Sequence, residues 1–272
     1  MPITKVGDIN MYYEIHGDGE PLIMITGLGS NSILWFRQIP VLAESYRVIA
    51  FDNRGTGRSD KPDISYSMEM ISGDIAGLLD VIGIDRAHIY GHSMGGMIAQ
   101  HFALNYPDRT ISLVLACTSC GGRHIILPDN ETIAFLADAE RRKRQTPEER
   151  VRESLPFTFT QEFIDNNPDI VEQFMSLTIR YWTPLYSYMR QVEAVIAHDT
   201  YDRLHEIKVP TLVIAGAADR TLPIENLRIL ASRIPNAELV TMKHLGHGLF
   251  IEGAEDTNKA ILDFLKRHPQ AS

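Results

Sequence analysis

His88-Ile89-Tyr90-Gly91-His92-Ser93-Met94-Gly95-Gly96 is the stretch that decides how this chain folds. His88–Tyr90 reads as a short apolar strand, and from Met94 to Tyr106 the apolar residues recur at helical spacing. A serine at such a junction sits on a sharp turn in a strained backbone conformation. Strand and helix can then approach only if the residues two before and two after it are small, and Gly91 and Gly95 satisfy that requirement. The turn lifts the Ser93 hydroxyl out of the sheet. It also leaves the Met94 amide at a helix N-terminus, where it can donate to a developing oxyanion.

Working outward, short runs rich in Val and Ile alternate with segments of helical period, the pattern of a mostly parallel sheet with helices on both faces. The runs are Leu22–Thr26, Arg47–Phe51, His88–Tyr90, Ile111–Ala116, Thr211–Ala215 and Ala237–Thr241. Met68–Ile82, Met94–Tyr106 and Thr257–Arg267 read as helices, and Met1–His16 as an antiparallel hairpin on the sheet edge. The alternation breaks between Cys120 and His205. That stretch is helical in tone, marked by Pro147, Pro156, Pro168 and Pro184 as breaks, with aromatic residues toward its end. The expected organisation is a core of residues 1–119 and 206–272 with a helical cap inserted at 120–205. The charge run Glu140–Arg144 within it reads as a solvated helix face.

A serine hydroxyl is a weak nucleophile at neutral pH; it needs a base within hydrogen-bond reach and a third group to fix the tautomer of that base. Asp219 follows the run Thr211–Ala215 through a Gly216-Ala217-Ala218 turn, and His247 lies between Gly246 and Gly248 after the last run. Both fall at carboxyl ends of strands, where open α/β sheets build their sites. The flanking glycines suggest that His247 lies on a mobile, exposed turn. His244 is the fallback base, His92 lies too close in sequence to fold back onto Ser93, and Asp199 and Asp202 are the alternative acids. In Gly27-Leu28-Gly29-Ser30, glycines on either side of Leu28 let its amide reach the oxyanion as a second donor.

Composition narrows the substrate class. The 26 Lys and Arg residues stand against 35 Asp and Glu, and the formal charge of −9 opposes nucleic acid phosphates and anionic lipid surfaces. No membrane partner is expected. The apolar run Leu22–Ile25 is too short for a leader or a span, so the expected location is the cytoplasm. The only cysteines, Cys117 and Cys120, follow a strand rather than open a helix, and read as reduced thiols at the core edge.

The elbow, the order Ser93, Asp219, His247, and the loop Asp52-Asn53-Arg54-Gly55-Thr56-Gly57-Arg58-Ser59 together resemble the α/β-hydrolase superfamily over nearly the whole chain outside Cys120–His205. Gly253-Ala254 depart from a proline common after the family's histidine segment, and Thr26 stands where many members carry His. Within the superfamily the chain is most similar to small-capped carboxylesterases and 3-oxoadipate enol-lactonases, through Gly27-Leu28-Gly29-Ser30, Tyr66-Ser67-Met68 and Gly95-Gly96-Met97-Ile98-Ala99-Gln100. The resemblance implies an eight-stranded sheet, a scaffolding role for the Asp52–Ser59 loop, and Ser-His-Asp acyl transfer on a small ester or lactone with no metal or organic cofactor. Trp182, Tyr181, Phe174 and Met175 of the insertion are then expected to wall the substrate pocket. A C–C bond hydrolase, a cofactor-free perhydrolase and a ligand receptor on the same fold remain the alternatives, and self-association is left open.

Overall fold

The computed structural model describes residues 2–270. Eight strands form one sheet: β1 Ile3–Val6, β2 Ile9–His16, β3 Glu20–Ile25, β4 Tyr46–Phe51, β5 Ala87–His92, β6 Thr110–Ala116, β7 Thr211–Gly216 and β8 Ala237–Met242, in the order β1-β2-β4-β3-β5-β6-β7-β8. The hairpin β1–β2 joins through an antiparallel β2–β4 pair; every later pairing is parallel. All six apolar runs became strands because each is buried on both faces of the sheet or flanks one that is.

Helices cover both faces and divide the core in two. On one side Ile71, Ile75, Leu78 and Leu79 of helix Met68–Val81 pack with Ile98 and Phe102 of helix Met94–Asn105. On the other, Trp35, Leu249, Ile261 and Phe264 close over Leu22, Tyr90 and Ile214. Ser67 caps the first of these helices by accepting from the Met70 amide, a cap of the kind that contributes about 1 kcal/mol. Among the described residues no helix is long and apolar enough to cross a membrane.

Between β6 and β7 the chain forms helices Asn130–Ala137, Ala139–Lys143, Pro147–Thr158, Gln161–Asn166, Pro168–Arg180 and Leu185–Ala197. Pro147 and Pro168 occupy first-turn positions, where a missing N–H costs nothing, and Pro184 caps the last helix. Pro156 does not separate elements as expected: it sits inside the last turns of Pro147–Thr158, which ends two residues later. The charge run also departs from the solvated face read from sequence. Glu140, Arg141, Lys143 and Arg144 are exposed, but the helix is short and seated against the fold, so Arg142 turns inward.

The insertion is fastened to the loops after β3 and β4. Gly29 donates to Gln191 Oε1 at 2.9 Å and accepts from Thr183 Oγ1 at 2.9 Å, while Ser187 Oγ donates to the Gly55 carbonyl at 2.7 Å. Beneath them the wholly buried Asp52 accepts from Ser32 N and Oγ and from Arg58 N and Nε. A buried carboxylate is tolerable only when its lone pairs are taken up in this way, which gives the Asp52–Ser59 loop its scaffolding character.

Candidate active site

Ser93 occupies the turn between β5 and helix Met94–Asn105 with φ 58° and ψ −123°, a strained conformation for a residue with a Cβ. The end of β6 and the loop after it hold it there: the Ser93 amide donates to the Ala116 carbonyl at 2.9 Å, and Thr118 Oγ1 donates to the Ser93 carbonyl at 2.8 Å. The two glycines are required by contact. A Cβ on Gly91 would lie 2.2 Å from the Gly95 carbonyl oxygen, and one on Gly95 would lie 2.1 Å from that of Ile25.

Three strand ends converge on this turn. Asp219, after β7, directs Oδ2 to His247 Nδ1 at 2.8 Å, and His247 Nε2 lies 3.0 Å from Ser93 Oγ. Asp219 Oδ1 accepts from the Thr221 and Leu222 amides at 2.7 and 2.9 Å, so the carboxylate is buried with its orientation fixed. Since an ionised carboxylate only accepts, Nδ1 carries the proton and Nε2 is left to accept from the serine hydroxyl. His244 is exposed, as are Asp199 and Asp202, and none of the three joins the group.

The His247 turn is neither exposed nor free. Gly246 and Gly248 are buried; their amides donate to Glu252 Oε2 at 2.8 Å and to the Thr158 carbonyl at 2.6 Å. Glycine stands at 248 because a Cβ there would lie 2.6 Å from the Phe159 ring. His92, set aside by the sequence argument, is in contact with the group: its Nε2 lies 2.8 Å from the His247 carbonyl. Burial, with the neighbouring His247 next in effect, pushes the His92 pKa down to about 3.

The loop after β3 lies directly over Ser93. A Cβ on Gly27 would come within 3.1 Å of the Ser93 Cβ, leaving Leu28 and Met94 both at the site. Among the described residues, no acceptor within the protein takes up the Leu28 or Met94 amide. The Gly29 contacts to Gln191 and Thr183 fix this loop, and neither partner was visible from sequence because both lie in the insertion, over 150 positions downstream.

Above Ser93 opens a cavity of about 360 Å³. Phe174 and Trp182 line it, joined by Phe135, Phe157 and Tyr188. Met175 and Tyr181 do not. On helix Pro168–Arg180 the cavity face carries Phe174 and Thr178, one turn apart; Met175, about 100° further round, packs into the adjoining core instead. Tyr181 lies past the helix end with its ring 4.6 Å from the Arg58 guanidinium carbon. Arg142 and Arg150 are the cationic residues in the wall.

His92, Cys117 and His247 bring one ligand atom each within 4.8 Å of the others, the spacing of a metal trio. Both His247 ring nitrogens are already engaged, however, and burial raises the Cys117 thiol well above its usual range, keeping it protonated. A metal ion there would have to displace the serine or the aspartate from His247, so these donors suit the hydrogen-bond chain better than a cation.

Residues 20–254 match the family model described as the alpha/beta hydrolase fold. The RutD protein of Azorhizobium caulinodans, named for carbamate hydrolysis, is 31% identical over 97% of this chain and 98% of its own. Among solved structures, the enol-lactonase from Burkholderia xenovorans LB400 has a TM-score of 0.87 and 28% identity, covering 97% of this chain and 100% of its own. A thermophilic esterase from Thermogutta terrifontis has a TM-score of 0.87 and 27% identity, covering 99% and 100%. These names attach a carbamate, an enol-lactone and an ester to one architecture.

Proposed function

Because this chain belongs to the α/β-hydrolase fold family and is a hydrolase of that family, we propose that it cleaves a small carboxylic ester or lactone through a covalent acyl-serine. The observation that carries the reading is the line Ser93–His247–Asp219, with hydrogen-bond distances of 3.0 and 2.8 Å, at the floor of an apolar cavity. A buried apolar site strengthens each of these charge-assisted contacts and limits water to the molecule that must enter.

Ser93 Oγ attacks the carbonyl carbon while His247 Nε2 takes the hydroxyl proton. Asp219 stabilises the resulting imidazolium and holds its ring in place. The carbonyl oxygen becomes the oxyanion and is met by the Leu28 and Met94 amides, the second of which begins a helix. The imidazolium returns its proton to the departing alkoxide, leaving Ser93 acylated. Water then attacks the acyl-serine by the same route in reverse, so the sequence consumes one water and yields one acid and one alcohol, which a lactone keeps in a single molecule.

The test is covalent. A small organophosphonate should inactivate the protein with one-to-one stoichiometry, and peptide mass mapping should place the adduct on Ser93. Ser93→Ala should lose at least a thousandfold in kcat on p-nitrophenyl esters. An adduct elsewhere, or ester turnover that survives Ser93→Ala, removes the assignment. Product analysis across esters, lactones, carbamates and vinylogous diketones then separates the bond classes.

A further inference from the structure

The cavity over Ser93 is mostly apolar, and among the described residues Arg142 and Arg150 are the Lys or Arg side chains in its wall. The two guanidinium groups are differently placed. Arg150, buried, pairs with Glu153 at 3.0 Å and donates to the Phe135 carbonyl. Arg141, on the solvent side, pairs with the same Glu153. One carboxylate thus serves two arginines, and Arg142 has none: among the described residues no Asp or Glu lies within 4.0 Å of it.

Arg142 does not make up the deficit through other hydrogen bonds. Its Nε is buried without an acceptor, as is that of Arg150. What holds it is a stacking contact: the guanidinium carbon lies 3.3 Å from the Tyr188 ring centroid. The Tyr188 hydroxyl donates to the Leu136 carbonyl at 3.0 Å, so the ring is a fixed platform. A cation–π contact offsets only part of what a guanidinium loses on leaving water, and it satisfies none of the in-plane N–H groups. Burial lowers the pKa of both arginines, and for Arg150 the Arg142 charge adds to that push. An anion arriving from the cavity would relieve both effects.

We propose that Arg142, stacked on Tyr188, is the anion-recognition group of this cavity, and that the ester cleaved at Ser93 carries a carboxylate on its portion remote from the scissile carbonyl. The planar fork of a guanidinium matches a carboxylate in two parallel hydrogen bonds, and the stacked ring leaves its edge free for them. The apolar wall between Arg142 and Ser93 then suits the methylene chain of a dicarboxylic half-ester. This assignment rests on the acyl-serine reading for the reaction itself, but not for binding.

Two substrates with the same six-carbon diacid chain decide it: mono-p-nitrophenyl adipate, which carries a free carboxylate, and its neutral methyl ester. The protein should prefer the acid by about tenfold to a hundredfold in kcat/KM, expressed in KM, the size expected of a hydrogen-bonded ion pair. Arg142→Gln should bring the acid-to-neutral ratio to about one, and Arg142→Lys should restore part of it. A variant that merely misfolds lowers both rates together and leaves the ratio standing, which overturns the proposal; so does a wild-type ratio near one. Calorimetry with adipate itself, on Ser93→Ala with and without Arg142→Gln, reads the subsite without turnover. Binding that disappears only with Arg142→Gln supports the subsite even if Ser93 proves not to be the nucleophile, and equal binding by both variants refutes it.

Discussion

The ring of His92 and the backbone carbonyl of His247 are joined by a 2.8 Å hydrogen bond in which His92 Nε2 is the donor, since a carbonyl can only accept. The two imidazoles also pack with centroids 4.8 Å apart, and Phe250 closes against His92 at 4.6 Å. The residue beside the nucleophile in sequence therefore braces the main chain of the base. With its pKa pushed down to about 3, His92 stays neutral across the working pH range and can hold this bond without competing for the Ser93 proton.

Replacing His92 tests that brace. His92→Ala leaves the His247 carbonyl unsatisfied in a buried setting, at a cost of about 1–3 kcal/mol, and frees the His247 turn to drift. We expect stability in urea to fall by that amount and kcat to fall about tenfold with KM little changed, because the loss is in the alignment of the base. His92→Asn, which retains an N–H donor, should recover part of kcat. A His92→Ala protein with wild-type kcat would show that the bond has no part in placing His247.

Acid should unfold the protein through its buried histidines. Burial lowers both His92 and His198 to about 3, with His101 adding to the effect at His198. An unfolded histidine titrates near 6.5, so as pH falls through that value the unfolded chain takes up protons that the folded chain refuses. The stabilisation from neutral burial is fully present above about 6.5 and is lost progressively toward pH 3. His198 lies away from the nucleophile, on Ser119 and His101, so it can be removed independently. His198→Asn should flatten the dependence of unfolding free energy on pH between 6.5 and 4 by about one proton, roughly 1.4 kcal/mol per pH unit. An unchanged slope in equilibrium denaturation would contradict the buried neutral state.

What could be read in the sequence is what depends on neighbours in sequence or on strand order. The Ser93 turn is a local steric problem with a glycine solution, and Asp219 and His247 follow strands whose carboxyl ends must meet in a parallel sheet. Composition cannot supply the phase of a helix, so Phe174 and Met175 looked alike until one faced the cavity and the other the core. The glycines around His247 were read as freedom, whereas the structure uses Gly248 for close approach to Phe159. Arg142 was hidden for a similar reason. One member of a charged run turns inward only because the tertiary fold presses its helix onto Tyr188.

Asp219→Asn separates tautomer control from folding. Its Oδ1 contacts with the Thr221 and Leu222 amides can survive in the amide, which keeps the side chain in place. The amide nitrogen then faces His247 Nδ1 as a donor, favouring the ring form whose Nε2 already carries a proton and cannot accept one from Ser93. We expect kcat to fall by about 10³ to 10⁴ with KM and the far-ultraviolet circular dichroism unchanged. A loss below tenfold would mean that another carboxylate supports the base.

Trp182 and Met175 form a contrast that tests whether the cavity sets chain-length preference. Trp182 lines the space over Ser93, whereas Met175 packs outside it on the same stretch of the insertion. Each methylene buried in an apolar pocket contributes about 0.8 kcal/mol until the space is full, and an overfilled pocket loses about 1–3 kcal/mol to strain. With about 360 Å³ available, activity on neutral p-nitrophenyl esters should rise through short chains, peak at short or medium length, and then decline. Trp182→Ala enlarges the space and should move the peak toward longer chains while phosphonate labelling of Ser93 proceeds at a similar rate. Met175→Ala should lower thermal stability yet leave the peak in place, because the atoms it removes face the core. A profile that climbs steadily to lipid-length chains, or one displaced equally by both substitutions, would mean that the wall of this cavity does not select the acyl chain.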